Sequence, residues 1–93
     1  MTTERVLQRK IIDYLNKSCN SIAVKTDSTS TRGWPDLVVI LPTGEVVFIE
    51  VKTTTGKLSV HQKRIHQQLK EQNANVHTVR SLDEAKALFP SDP

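Results

Sequence analysis

Asp36, Glu50 and Lys52 are charged residues whose spacing could do chemistry. Glu50 and Lys52 close the run Val46-Val47-Phe48-Ile49-Glu50-Val51-Lys52, in which both alternating faces are apolar as far as Glu50. Such a run reads as an interior strand with two charges on one face. Asp36 opens a second β-branched run, Asp36 to Leu41, and Pro42-Thr43-Gly44 joins the two. Pro suits the second position of a type I turn and Gly the left-handed position after it, and taking the turn as a three-residue loop with a Gly bulge pairs Leu41 with Glu45. Counting outward sets Asp36 opposite Glu50 on the same face, whereas a two-residue loop would shift the register and part them. Opposed carboxylates with β-carbons about 5 Å apart suit a shared divalent cation and repel each other without one. Hard oxygen donors favour Mg2+, with Mn2+ able to substitute, and the backbone carbonyl of Val51 is a natural further ligand. Lys52 would then stand beside the water such a cation activates. The competing reading is a salt-bridge ladder at the end of a hairpin, which needs no cation.

The remaining chain must position this hairpin. Leu7, Ile11, Tyr14 and Leu15 recur at helical spacing between Glu4 and Lys17, with Thr3 placed as N-cap. Ser21 to Thr26 reads as a short strand, and Asp27 to Gly33 as a polar loop leading to Trp34-Pro35. Beyond Thr53-Thr54-Thr55-Gly56, the capping box Ser59-x-x-Gln62 opens a helix with Ile65 and Leu69 on one face, ending near Asn73. Val76 to Arg80 reads as a strand, and a second capping box, Ser81-x-x-Glu84, opens a helix that Pro90 ends. The order is αβββαβα, an α/β layered domain with a mixed central sheet whose central strands are covered on both faces.

With 93 residues, no internal repeat and no linker, residues 1–93 have room for a single domain. A composition of 37% hydrophobic and 25% charged residues is that of a folded globular chain rather than a disordered one. Cys19 is the sole cysteine, so there is no internal disulfide and no Cys/His zinc pattern, and a reducing, intracellular setting fits. No apolar run approaches the roughly 18 residues that span a bilayer. A net charge of +3 and a pI near 9.2 give only weak support for a polyanionic partner. Eleven of the 13 Lys and Arg residues lie between Arg5 and Lys70, which fits a nucleic-acid footprint and a solvated mixed surface about equally.

Taken together, Gly33-Trp34-Pro35-Asp36, the hairpin, Glu50-Val51-Lys52, then Gly56-Lys57-Leu58-Ser59 and Gln62 form a pattern that resembles the VRR-NUC domain family. This family is a branch of the PD-(D/E)xK nucleases, and the likeness is to its compact, stand-alone phage and bacterial members. The resemblance spans nearly the whole chain and implies a restriction-endonuclease-like fold. It also implies hydrolysis of DNA phosphodiesters with the 5′-phosphate left on the product. The superfamily's Pro-Asp pair falls on Pro35-Asp36 and its (Asp/Glu)-x-Lys triplet on Glu50-Val51-Lys52. The resemblance matches Glu4 to an early acidic residue of the site, although a first-turn acid is also what the helix dipole favours. Gln62 matches a glutamine that follows the catalytic strand, a role that can coexist with its arm of the capping box.

Small relatives resemble junction resolvases in forming homodimers, which implies a branched DNA substrate and two sites acting on paired strands. It further implies the cytoplasm of a bacterial host cell, with the gene carried by a phage or by the host. Arg32, Lys57, Lys63 and Arg64 are candidates for phosphate contacts, and Trp34 for stacking on a base or for packing beneath its loop. His61, His66 and His77 lack metal-ligand spacing and read as surface or capping residues. Gly56-Lys57 is not a phosphate loop, because Val51 and Leu58 stand where that motif needs Gly and Ser or Thr. Two other readings compete: a catalytically silent DNA-binding accessory module on the same scaffold, and a small protein-interaction domain with incidental charges.

Overall fold

The fold is described from a computed structural model, which covers residues 3–26 and 31–91. Helix α1 (Glu4–Ser18) starts where Thr3 Oγ1 accepts from the Val6 N–H at 3.2 Å. It places Leu7, Ile11 and Leu15 on one buried stripe. Strands β1 (Ile22–Lys25), β2 (Leu37–Ile40) and β3 (Val46–Val51) form an antiparallel meander. Helix α2 (Val60–Glu71) then crosses over to β4 (Asn75–Val79), which pairs with β3 in parallel, and α3 (Leu82–Leu88) follows. The sheet order β1-β2-β3-β4 makes β3 an interior strand, and the mixed sheet with flanking helices is the expected αβββαβα arrangement.

The hairpin loop has three residues. The Leu41 N–H donates to the Glu45 carbonyl at 2.9 Å, the Gly44 N–H to the Leu41 carbonyl at 2.8 Å, and Gly44 takes φ +89°. Ile40 therefore faces Val46 and Leu37 faces Ile49, and the same count sets Asp36 against Glu50.

The apolar core lies on one face of the sheet. Leu7, Ile11 and Leu15 of α1 and Ala85 of α3, with Phe89 beyond it, close over Ala23, Val39, Val47, Ile49, Val51 and Val79. The other face differs from expectation. Helix α2 packs over β4 and the end of β3 but leaves Ile22 60%, Val24 51%, Ile40 40% and Val46 43% exposed, so the central strands are not fully covered on both sides. The physical reason is helix number: two helices serve the core face and one serves the other. At α3, Ser81 Oγ accepts from the Glu84 N–H, but Glu84 Oε2 accepts from the Arg80 N–H. The second capping box thus closes one residue earlier than its pattern implies.

Candidate active site

The candidate site lies where β2 begins and β3 ends. Pro35 is buried, and Asp36 follows it just outside the β2 ladder. The Thr26 N–H donates to the Asp36 carbonyl at 2.8 Å, and the Thr26 hydroxyl donates to the same carbonyl at 2.9 Å, which fixes this corner to the end of β1. Asp36 Oδ2 accepts from the Val51 N–H at 2.8 Å, so a side chain replaces the rung that the ladder would otherwise make there. The Val51 side chain itself is fully buried on the core face.

Glu50 points the other way, toward α2, with 1% of its surface exposed. Gln62 Nε2 donates to Glu50 Oε2 at 3.3 Å, and His66 Nε2 lies 3.2 Å from Oε1. Burial pushes the Glu50 carboxyl up to about 9, the hydrogen bond and charge of Asp36 push it the same way, and Lys52 opposes them. Lys52 is nearly buried, its Nζ 3.8 Å from Oε1 of the half-exposed Glu4. The structure thus gathers Glu4, Asp36, Glu50, Lys52 and Gln62 from α1, the hairpin and α2.

The donor set tests whether a divalent cation fits. A carboxyl whose pKa is raised first by burial and then by a second carboxyl beside it is what a hard cation would relieve, because ionisation then has a counter-charge. Asp36 and Glu50 are the residues that could hold one, with the Val51 carbonyl adjoining. Among the described residues, no three His, Cys, Asp or Glu side chains group around a common ion position, so backbone oxygen, water or substrate would have to complete the shell of any cation held there.

The expected DNA-contact residues are more dispersed. Arg32 reaches the first turn of α2, its Nη1 3.5 Å from His61 Nε2. Lys57, Lys63 and Arg64 are exposed, the first in the loop before α2 and the others on the helix. Trp34 is half-buried and meets Phe48 edge-on with ring centroids 5.5 Å apart, which is the packing alternative for this residue. The loop carrying Arg32 and Trp34 is pressed against α2: a Cβ on Gly33 would lie 2.4 Å from the His61 carbonyl oxygen, and Gly33 has φ +93°.

Two residues take roles that the sequence reading did not give them. His66, read as a surface or capping residue, is 5% exposed and faces Glu50. It lies one turn after Gln62, on the same face as Leu69, and that spacing was the available signal. Arg80 Nη1 donates to the Thr53 carbonyl at 2.8 Å and also to the Gly56 carbonyl, which pins the loop leaving Lys52. Beside it opens a cleft of about 650 Å³ lined by Lys10, Thr53 to Thr55 and Arg80.

The comparisons agree with the geometry. The sequence matches the VRR-NUC domain family over residues 1–83. A protein of Acyrthosiphon pisum secondary endosymbiont phage 1, called "Putative nuclease p44", is 33% identical over 66 residues, covering 71% of this chain and 70% of the relative. A solved VRR-NUC domain superposes with a TM-score of 0.80 at 31% identity, covering 94% of this chain and 95% of the other. With family match, fold and hairpin register in accord, the chain belongs to the VRR-NUC domain family.

Proposed function

We propose that this nuclease is a Mg2+-dependent DNA endonuclease, with Mn2+ able to substitute, which cuts branched DNA as a homodimer. The observation that carries the reading is the apposition of Asp36 and Glu50 at the end of an interior strand, with the charge of Lys52 close enough to act on Glu50. In this proposal residues 1–93 form one nuclease domain, acting in the cytoplasm of a bacterial cell. Asp36, Glu50 and the Val51 carbonyl hold the cation. When bound, it supplies Lewis-acid activation of water and neutralises charge on the phosphate.

The chain's own groups do the rest. Asp36 is braced by the Val51 N–H and by Thr26 at its backbone, so its carboxylate is presented without rearrangement. Lys52 holds its ammonium toward the reacting phosphate and stabilises the charge that develops there. Glu4, with its Oε1 3.8 Å from Lys52 Nζ, aims the ammonium. Gln62 fixes one oxygen of Glu50 while capping α2, since its Oε1 accepts from the Ser59 N–H at 2.8 Å. Arg32, Lys57, Lys63 and Arg64 contact backbone phosphates, and Trp34, seated on Phe48, borders the DNA.

The homodimer is supported by the uncovered sheet face. Ile22, Ile40 and Val46 form one cross-strand row, and Val24 and Val38 stand in the next. A contiguous aliphatic strip of this kind marks an interaction surface, and a second copy covering it would pair two sites for two strands.

The test is cleavage of end-labelled four-way junction, flap and duplex DNA in Mg2+, Mn2+ or EDTA, with Asp36→Asn and Lys52→Ala beside the wild type. Cutting that requires metal and both residues, and favours the branched substrates, is the expected result. Metal-independent DNA binding without cutting, unchanged in both variants, would instead mark the chain as a silent accessory module.

A further inference from the structure

Helix α2 has one buried side chain, His66, and it spends that position on a polar partner rather than an apolar one. The imidazole is 7% exposed and the Glu50 side chain 1%, so neither can exchange this partner for bulk water. Gln62 and His66 lie one turn apart and take one Glu50 oxygen each, at 3.3 and 3.2 Å. A carboxylate gripped at both oxygens from a single helix cannot rotate about its last torsion. Its remaining lone pairs are left to face Asp36.

We infer that His66 is a positioning residue: its Nε2–H donates to Glu50 Oε1 and holds that carboxylate in the orientation in which it binds a divalent cation together with Asp36. This rests on the metal-dependent reading above. Carboxylate ligands are ordinarily oriented by hydrogen bonds from a surrounding shell, and loss of such a partner typically weakens metal affinity about 10–100-fold. His66 is assigned as a hydrogen-bonding partner rather than a ligand because its Nε2 is taken up by Glu50.

The experiment measures Mn2+ affinity directly, by electron paramagnetic resonance of free Mn2+ and by calorimetry, for the wild type, His66→Phe, His66→Gln and Asp36→Asn. Phe keeps a ring and removes the donor, whereas Gln keeps an N–H donor of similar reach. The expected result is a loss of about 10–100-fold in Mn2+ affinity for His66→Phe, substantial recovery in His66→Gln, and a DNA-cleavage defect that lies in the metal dependence rather than in the rate at saturating Mn2+. Wild-type affinity in a folded His66→Phe protein overturns the inference. Unchanged affinity in Asp36→Asn overturns instead the metal reading on which it stands.

Long-range 1H–15N correlation of wild-type protein in Mg2+ gives an answer that needs no variant. A proton on Nε2 supports the assignment, and a proton on Nδ1 alone overturns it. A directly coordinated histidine nitrogen, seen as 15N hyperfine coupling to bound Mn2+, also overturns it, because His66 would then be a ligand.

Discussion

A carboxyl group buried against a second carboxyl cannot ionise cheaply, and for Glu50 this fixes the sign of a pH effect. Its folded value of about 9 lies above the ordinary 4.5, so between those limits the native protein keeps a proton that the unfolded chain has lost. The stabilisation is full below about pH 4.5 and is lost as pH rises through about 9, with a slope of at most about 1.4 kcal/mol per pH unit. In EDTA, the thermal midpoint of the wild type should therefore fall between pH 6 and pH 8.5, while Glu50→Gln, which cannot ionise, should fall less. An equal fall in both proteins would remove Glu50 as the cause. Lys52→Ala is predicted to keep the circular-dichroism spectrum of the wild type and to lose about 10²–10³-fold in cleavage rate, the usual effect of removing one charge-stabilising group.

Gly33 ties the loop before β2 to the first turn of α2. Alanine there would meet the His61 carbonyl oxygen at 2.4 Å and the Gln62 nitrogen at 2.8 Å, and both are backbone atoms that cannot swing aside. The left-handed backbone alone costs an L-residue about 1–2 kcal/mol, and overpacking adds about 1–3 kcal/mol. Gly33→Ala should lower stability by a comparable amount in denaturant titration and blunt the site by displacing Gln62, whereas Gly44→Ala, with open space around its Cβ, should show only the backbone cost.

These elements also show what could be read in advance. The apposition of Asp36 and Glu50 was legible because Pro42-Thr43-Gly44 fixes the hairpin register locally, and Ser59 with Gln62 announced the start of α2. His66 was not, because its burial depends on how α2 lies over β3, and a helix face assigned from Ile65 and Leu69 alone leaves a histidine at its border. Arg80 was hidden for a related reason: it serves carbonyls 24 and 27 residues back along the chain, which no local pattern reports. The partial cover of the sheet was likewise a matter of helix placement, not of strand sequence.

Across the whole molecule, the core face and the open face divide the work. Helices α1 and α3 cover the apolar core, and the open face leaves an aliphatic strip beside a polar site. Within the homodimer proposal, Val46→Glu and Ile40→Glu place a charge in the strip without touching the core. Light scattering at micromolar concentration should then report a monomer for the double variant and a dimer for the wild type. A wild-type monomer would remove this face as a self-association surface.

The hold of α2 on the sheet has a further consequence for motion. A crossover helix whose one buried side chain is a histidine bonded to a glutamate, with Ile65 and Leu69 only half-buried, has less apolar area keeping it down than α1 with its buried stripe of leucine and isoleucine. Local opening is least costly where buried apolar contact is least, so α2 should lift from β3 and β4 well below the free energy of global unfolding. Each such excursion carries Gln62 and His66 away and leaves Glu50 facing water. Amide hydrogen exchange across Val60–Glu71 should therefore be faster than across α1, and a divalent cation that locks Glu50 should slow it selectively, so that occupancy of the site is recorded in the breathing of a single helix.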